Sequence, residues 1–60
     1  MKNLVIIVTL LDAEKYEYGK GVKQSTYKAI YFYGKACDMR DSDGCAEYAR
    51  LNRGRAAFNY

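Results

Sequence analysis

Histidine and tryptophan are absent from the 60-residue sequence, and cysteine occurs only twice. The absence of histidine excludes acid–base catalysis by an imidazole, haem ligation by histidine and histidine-containing zinc sites. Two cysteines cannot complete a four-cysteine zinc site within one chain. We therefore expect no cofactor, no metal and no catalytic residues, because the composition argues against a self-contained catalyst.

The chain is also too short for more than one small domain. At this length only about 60% of the unfolded surface is buried on folding, so a core is marginal without a disulfide, a metal or a partner. Apolar residues make up 50% of the sequence and charged residues 28%, which is typical of a folded chain rather than a disordered one.

The net charge of +3 arises from ten basic and seven acidic residues that are mixed along most of the chain. Basic residues become denser only near the end, at Arg50, Arg53 and Arg55, beside Phe58 and Tyr60. Such a cluster can contact phosphates or anionic lipid. The other motifs that interleave aromatic and basic residues for nucleic-acid binding are missing. We interpret the cluster as a solvated helix end and tail, and we expect no nucleic-acid partner.

Residues 1–18 begin with an apolar run from Leu4 to Leu11. Eight residues are far fewer than the roughly 20 that a membrane-spanning helix needs, but they fit the roughly 7–15 residues of the apolar part of an export signal. All five residues from Val5 to Thr9 are β-branched, which weakens helix propensity and would also suit a strand. A lone strand would have nothing to pair with. Two interpretations of residues 1–18 remain, an export-signal-like segment and the first helix of the fold.

The central part of the chain has the features of a helix with defined ends. The closely spaced Gly19 and Gly21 predict a helix end and a loop, and the Ser25 hydroxyl can cap the following helix. Apolar residues then recur at i, i+3, i+4 and i+7, which places them on one helical face: Ala29, Phe32, Tyr33 and Ala36. Lys28, Tyr31 and Lys35 fall on a different, more solvated face.

The end of this helix and the start of the next are predicted from turn-forming residues. The sequence Asp41-Ser42-Asp43-Gly44 is typical of a turn, so the first helix is predicted to end near Asp38. A second helix is predicted to begin at Cys45 and to end before Gly54. Gly34 lies inside the first helix, where glycine costs about 1 kcal/mol relative to alanine.

Cys37 and Cys45 fall at the end of the first of these helices and at the start of the second. An antiparallel pair of helices brings both thiols to its closed end, within reach of a disulfide. Closing so short a loop would stabilise the fold by roughly 2–3 kcal/mol. Two reduced thiols and a redox pair are the alternatives, although a redox pair normally has two residues between its cysteines. A disulfide would indicate an oxidising compartment, the periplasm or the outside of the cell.

The stretch from Gly19 to Leu51 resembles a sel-one-like repeat (SLR), an α/α unit related to the tetratricopeptide repeat. The residues that carry the resemblance are Gly19, Gly21 and Val22, then Lys28-Ala29, Phe32-Tyr33 and Lys35-Ala36-Cys37, and finally Asp38, Gly44 and Cys45. The seven residues between the cysteines are similar to the spacing in the cysteine-rich secreted branch of Hcp-type, β-lactamase-like proteins. The resemblance implies an all-α fold, an α/α helical hairpin with residues 19–54 as the hairpin and 55–60 as a tail.

The chain departs from the pattern of the family at several positions. Ser25 stands where the family usually has aspartate, and either residue can cap a helix. Ala49 replaces the glycine expected where the two helices cross closely, and Asn52 replaces an aromatic residue. About one and a half repeats are present, whereas a stack usually needs three or more to bury a continuous core. We therefore expect that neighbouring repeats, a partner protein or self-association completes the hydrophobic core.

Repeats of this kind bind partners on a helical surface, so the first functional hypothesis is a protein–protein interaction or adaptor module in the periplasm or outside the cell. Its predicted binding surface consists of Tyr27, Lys28, Tyr31 and Lys35, because tyrosine is a favoured interface anchor and lysine supplies charge. For Tyr33 and Tyr48, packing within the fold is the better interpretation.

Two other hypotheses follow from separate features of the chain. The resemblance implies β-lactam binding or weak β-lactam hydrolysis, and Ser25 with Lys28 matches the Ser-x-x-Lys spacing of β-lactamases. Both residues already have roles in the repeat, as a cap and on a helix surface. The apolar run from Leu4 to Leu11 raises the third hypothesis, a small peptide associated with a membrane.

Overall fold

Three α-helices make up most of the backbone in the computed structural model, which describes residues 3–59 and the side chains of residues 3–53. Helix α1 comprises Leu4–Tyr18, α2 comprises Thr26–Asp38 and α3 comprises Ser42–Asn59. No strand occurs within residues 3–59, so the predicted all-α class and helical hairpin are confirmed. None of the described helices is both long and apolar enough to span a bilayer.

Capping residues define both ends of α1. The Asn3 side chain accepts a hydrogen bond from the Ile6 N–H at 2.9 Å, and Gly19 ends the helix with a left-handed φ of 70°. A residue with a side chain is strained in this conformation, which explains the glycine. The apolar amino-terminal segment is therefore helical despite its β-branched residues, because the caps and the packing of Ile6 and Ala13 outweigh a weak propensity.

Helix α2 has the predicted bounds, and its predicted inward face is buried except for Phe32, which is half-buried; Ile30 is buried although the sequence did not place it there. The Ser25 hydroxyl accepts a hydrogen bond from the Lys28 N–H at 3.3 Å, and the helix ends at Asp38. Its buried residues are Ala29, Ile30, Tyr33 and Ala36. The helix thus presents one face to its neighbours and leaves Lys28, Tyr31 and Lys35 exposed.

Helix α3 is longer at both ends than the sequence predicts. The buried Asp41 caps it: the Gly44 N–H donates to Asp41 Oδ2 at 2.8 Å, and the Cys45 N–H donates to the Asp41 carbonyl at 3.0 Å. Because these bonds satisfy amides at the helix start, the expected turn Asp41–Gly44 contributes its last three residues to the first helical turn. The predicted start at Cys45 is therefore wrong.

The predicted end of α3 is also wrong. The helix continues through Gly54 to Asn59, so residues 55–59 are helical rather than a tail. A single glycine lowers helix stability by only about 1 kcal/mol, which the flanking helix formers offset here. Tyr60 lies outside the described residues.

Helices α1 and α3 both pack against α2, which forms the middle of a thin layer with principal extents of 38 × 26 × 11 Å. Ala13, Ala29 and Tyr33 form the buried core cluster. Four half-buried side chains surround it, namely Leu10, Tyr16, Phe32 and Leu51. Small residues at the centre let the helices approach closely, and the larger side chains around them exclude water.

Candidate binding surface

The disulfide predicted from the cysteine positions is present between Cys37 and Cys45, whose Cα atoms lie 4.4 Å apart. Helix α2 ends one residue after Cys37, and α3 begins three residues before Cys45. The short turn of residues 39–41 therefore brings the two side chains together. Neither cysteine is a free thiol in the structure.

Close packing of α2 on α3 depends on Gly44, which the turn-forming sequence of residues 41–44 predicted to lie in a turn. A Cβ atom at Gly44 would lie 2.6 Å from the Ala36 Cβ and 3.0 Å from the Cys37 nitrogen. No real Cβ approaches so closely, so the crossing of the two helices requires glycine here. The expectation that Ala49 occupies this crossing is wrong, because Ala49 is exposed.

Gly34 has a positive structural role that offsets its low helix propensity. A Cβ at this position would lie 3.1 Å and 3.2 Å from two ring atoms of Tyr48. The ring of Tyr48, which is half exposed, therefore rests directly against the backbone of α2. The predicted packing of Tyr48 within the fold agrees with this contact, and the ring also forms one wall of a groove.

This groove runs between α2 and α3 and has a volume of about 530 Å³. We refer to it as the tyrosine groove, and its lining residues are Tyr27, Ile30, Tyr31, Gly34, Lys35, Cys37, Asp38 and Tyr48. Tyr27 and Tyr31 are one helical turn apart and are 68% and 58% exposed. The groove thus combines aromatic walls with one basic and one acidic side chain.

The four residues of the predicted binding surface do not form one patch. Tyr27, Tyr31 and Lys35 line the tyrosine groove, and the Lys35 Nζ lies 5.4 Å from the centre of the Tyr31 ring. Lys28 instead faces α1, where its Nζ lies 5.1 Å from the centre of the Tyr16 ring. Both lysines are within the range of cation–π attraction, which holds each of them on its aromatic neighbour.

A polar network that no sequence pattern predicted connects side chains of the three helices. The Tyr33 hydroxyl donates to Glu17 Oε1 at 2.9 Å, and the Arg50 guanidinium binds both Glu17 and Glu47. The network joins all three helices, and none of its members lines the tyrosine groove. Glu17 is 16 residues from Tyr33 and 33 residues from Arg50, so no local spacing indicated its two contacts. The Glu47–Arg50 pair has the local i, i+3 spacing of one helical turn.

Ionisation within the network follows from these contacts. Burial raises the pKa of Tyr33 well above its usual value, and the hydrogen bond to the Glu17 carboxylate raises it further. The hydrogen bonds from Arg50 lower the pKa of Glu47. Arg50 is therefore a structural ion-pair residue rather than a purely solvated charge, whereas Arg55, Phe58 and Tyr60 lie outside the residues with described side chains.

The Ser25 and Lys28 pair has the geometry of a helix cap. The Ser25 oxygen accepts the backbone N–H of Lys28, while the Lys28 amino group lies over the Tyr16 ring. A serine nucleophile of the β-lactamase kind instead needs a lysine amino group that can take the hydroxyl proton. Within the described residues, no three histidine, cysteine or carboxylate side chains are grouped as metal ligands would be.

Comparison of the chain with family models, with curated proteins and with solved structures finds no match in any of the three. The fold and the groove are therefore the basis for any functional assignment. They define a three-helix, all-α chain with one disulfide at the closed end of its second helical pair.

Proposed function

We propose that this chain is a protein–protein interaction module of the cysteine-rich sel-one-like repeat type, and that it binds a peptide segment of its partner in the tyrosine groove. The observation that carries the proposal is the pair of exposed tyrosines, Tyr27 and Tyr31, beside a groove that Tyr48 closes on the other side. Tyrosine is enriched at interface hot spots because its ring is large and rigid and its hydroxyl remains polar.

The groove is preorganised for binding. The disulfide joins α2 to α3 at one end, and Gly34 seats the Tyr48 ring against the α2 backbone. Preorganised walls lose little conformational entropy when a ligand binds, which favours affinity. We expect an apolar or aromatic side chain of the partner to lie between Tyr31 and Tyr48.

Two charged side chains at the groove, Lys35 and Asp38, determine where a charged residue of the partner can bind. Lys35 lies over the Tyr31 ring at the edge of the groove, and Asp38 lines the same edge one turn further along α2. A partner segment that places a carboxylate near Lys35 gains a charge-assisted contact, and one that places it near Asp38 is repelled. The partner is thus expected to carry an apolar anchor next to an acidic residue.

The disulfide supports the second part of the proposal, which is a periplasmic or secreted location. Disulfides persist in oxidising compartments and are rare where glutathione keeps thiols reduced. Measuring the intact mass with and without reductant, on protein recovered from each cell fraction, tests this directly. Recovery of the protein with two free thiols from the cytosolic fraction would contradict it.

Selection from a peptide-display library against the oxidised protein tests the binding proposal. Affinities of the selected peptides are then measured by calorimetry for the wild type and for a Tyr27→Ser, Tyr31→Ser variant. Loss of two exposed anchors is expected to weaken binding roughly ten-fold or more.

Tyr18→Ser is the matched control, because Tyr18 is 60% exposed but lies on α1 away from the groove. The control is expected to bind as the wild type does. Selected peptides that bind the double variant with unchanged affinity, or that respond equally to the control, would overturn the assignment of the groove.

A further inference from the structure

A second surface, on α1, is distinct from the tyrosine groove and has a different chemistry. Five aliphatic side chains of α1 are each at least 40% exposed, and we refer to them as the aliphatic stripe: Leu4, Val5, Ile7, Val8 and Leu11. Leu4, Ile7, Val8 and Leu11 have the i, i+3, i+4, i+7 spacing of a helix face that packs on another helix. The inward face of the same helix, with Ile6 and Ala13, already packs in the fold.

Helix α1 is therefore apolar on both faces over its first two turns. No charged residue occurs from Leu4 to Leu11. A helix with this all-round pattern is normally buried on all sides. The exposed fractions of the stripe add up to nearly three complete aliphatic residues, on the order of 500 Å². This is as large as the largest apolar patch on a typical monomer, roughly 300–600 Å², and such patches are often functional.

Up to residue 53, where the described side chains of α3 end, the opposite edge of the helical layer has no such surface. The outward face of α3 exposes Ala49, Asn52 and Arg53. Among the described side chains of α3, Tyr48 is the one large hydrophobic residue that is exposed, and it rests against Gly34. Over its described side chains, the outward face of α3 thus resembles the polar cap of a helical layer, whereas α1 exposes an apolar face.

The charges on α1 distinguish between two occupants that could cover the stripe, an anionic membrane surface and a second copy of the chain. The charged residues of α1 are Asp12, Glu14, Lys15 and Glu17, so the helix carries more acidic than basic residues. Helices that bind anionic membrane surfaces carry lysine and arginine instead. A second copy of the chain meets the uncharged stripe with an identical uncharged stripe, and it therefore encounters no repulsion across the contact.

We propose that two copies of this chain pair through the aliphatic stripes of their α1 helices to form a closed, symmetric dimer. Two stripes together would remove on the order of 1,000 Å² from water, which is about the minimum for a specific interface. A symmetric contact buries both stripes at once. If one stripe instead docked on the α3 edge of a second copy, the stripe of that second copy would stay exposed, and further copies could add to form an open chain. The dimer is expected to dissociate on dilution because its interface is small.

Sedimentation equilibrium of the oxidised protein over a range of concentrations tests the proposal. The wild type is expected to pass from monomer to dimer as its concentration rises. Val8→Glu with Leu11→Glu places charge in the middle of the contact and is expected to raise the dimer dissociation constant at least roughly a hundred-fold, because unpaired charges are costly in an apolar interface.

Two control variants make the result specific. Ala49→Glu with Asn52→Glu adds the same two charges on the exposed face of α3 and is expected to leave the dimer unchanged. Tyr27→Ser with Tyr31→Ser removes two walls of the tyrosine groove and is also expected to dimerise normally. A failure of the proposed peptide binding in the groove can therefore be distinguished from a failure of the proposed dimer. Far-ultraviolet circular dichroism checks that each variant retains the wild-type helical content.

Three outcomes would overturn the proposal. They are a wild type that stays monomeric at all concentrations, a dimer that survives the two glutamates in the stripe, and a dimer that the groove variant disrupts. Flotation with phosphatidylcholine and phosphatidylglycerol vesicles tests the membrane alternative. If the protein stays monomeric and binds these vesicles through the stripe, a lipid surface rather than a second copy covers the stripe.

Discussion

The α1–α2 and α2–α3 contacts of this protein are stabilised by different means. The α2–α3 contact is local: a turn of three residues, residues 39–41, joins the helices, the Cys37–Cys45 disulfide closes them, and Gly44 lets their backbones approach. The α1–α2 contact follows a longer loop, residues 19–25, and depends on packing between residues far apart in sequence.

That second contact combines small and aromatic side chains. Ala13 and Ala29 are fully buried at its centre, and the rings of Tyr16 and Phe32 stack with centroids 5.6 Å apart. The Tyr33 hydroxyl adds a hydrogen bond to Glu17. The difference shows that one disulfide is enough to stabilise one pair of helices in a short chain, while packing of side chains and one hydrogen bond hold the third helix.

The largest expected effect comes from breaking the packed contact. Ala13→Leu adds three carbon atoms where no space exists, and it is expected to destabilise the protein by about 3 kcal/mol, the upper end of the range for overpacked cores. Denaturant unfolding followed by circular dichroism measures the change. Ala49→Leu, at an exposed position, is the control, and an equal loss in both variants would show that the α1–α2 contact is not the cause.

Removing the covalent link is expected to have the next largest effect. Cys37→Ser with Cys45→Ser opens a loop with a sequence separation of 8, and the chain-entropy model gives a loss of about 2.5 kcal/mol. The unfolding free energy of the variant should match that of the reduced wild type. A variant as stable as the oxidised protein would show that the α2–α3 contact does not depend on its disulfide.

Two glycines sharpen the comparison within the α2–α3 contact. Gly44→Ala is expected to cost about 2 kcal/mol, because the new methyl group meets the Ala36 side chain and rigid backbone atoms, and the gain in helix propensity offsets only part of this. Gly34→Ala meets only the half-exposed Tyr48 ring, which can move away, so its stability should change little. Thermal unfolding of both variants decides this, and equal losses would contradict the assigned geometry.

The smallest expected effect concerns the hydrogen bond between α1 and α2. Tyr33→Phe removes the hydroxyl that donates to Glu17, and it is expected to cost about 1 kcal/mol, since Glu17 retains its contact with Arg50. Tyr18→Phe, at an exposed site, should cost nothing measurable in the same unfolding experiment. A neutral Tyr33→Phe would show that packing alone joins α1 to α2.

The same tyrosine predicts how stability changes at alkaline pH. Burial and the Glu17 carboxylate raise the pKa of Tyr33 in the folded state, so the unfolded chain ionises first as the pH passes 10.0. The contribution of Tyr33 to stability is therefore complete below that pH and is lost above it. Ultraviolet titration should show one of the seven tyrosines resisting ionisation in the native protein. Tyr33→Phe should abolish this signal, and its persistence would assign it to another residue.

Local patterns in the sequence predicted a large part of the fold. The glycines at positions 19 and 21, the Ser25 cap and the apolar face of α2 each depend on neighbouring residues, and the structure agrees with all three. The disulfide was predictable because its two cysteines lie at adjacent helix ends. The bounds of α3 were not, because Asp41 could equally begin a turn or cap a helix, and its burial decided between them.

Sequence alone determined that this chain is all-α, that its second and third helices pair, and that two of its tyrosines are exposed on α2. These properties follow from periodicity and short-range hydrogen bonds, whose geometry is the same in any fold. Only the tertiary structure decided that Gly44 and Gly34 allow close contacts, that Lys28 faces α1, and that Arg50 binds Glu17. Those contacts depend on the angle and distance at which separate helices meet, and no spacing along the chain records either quantity.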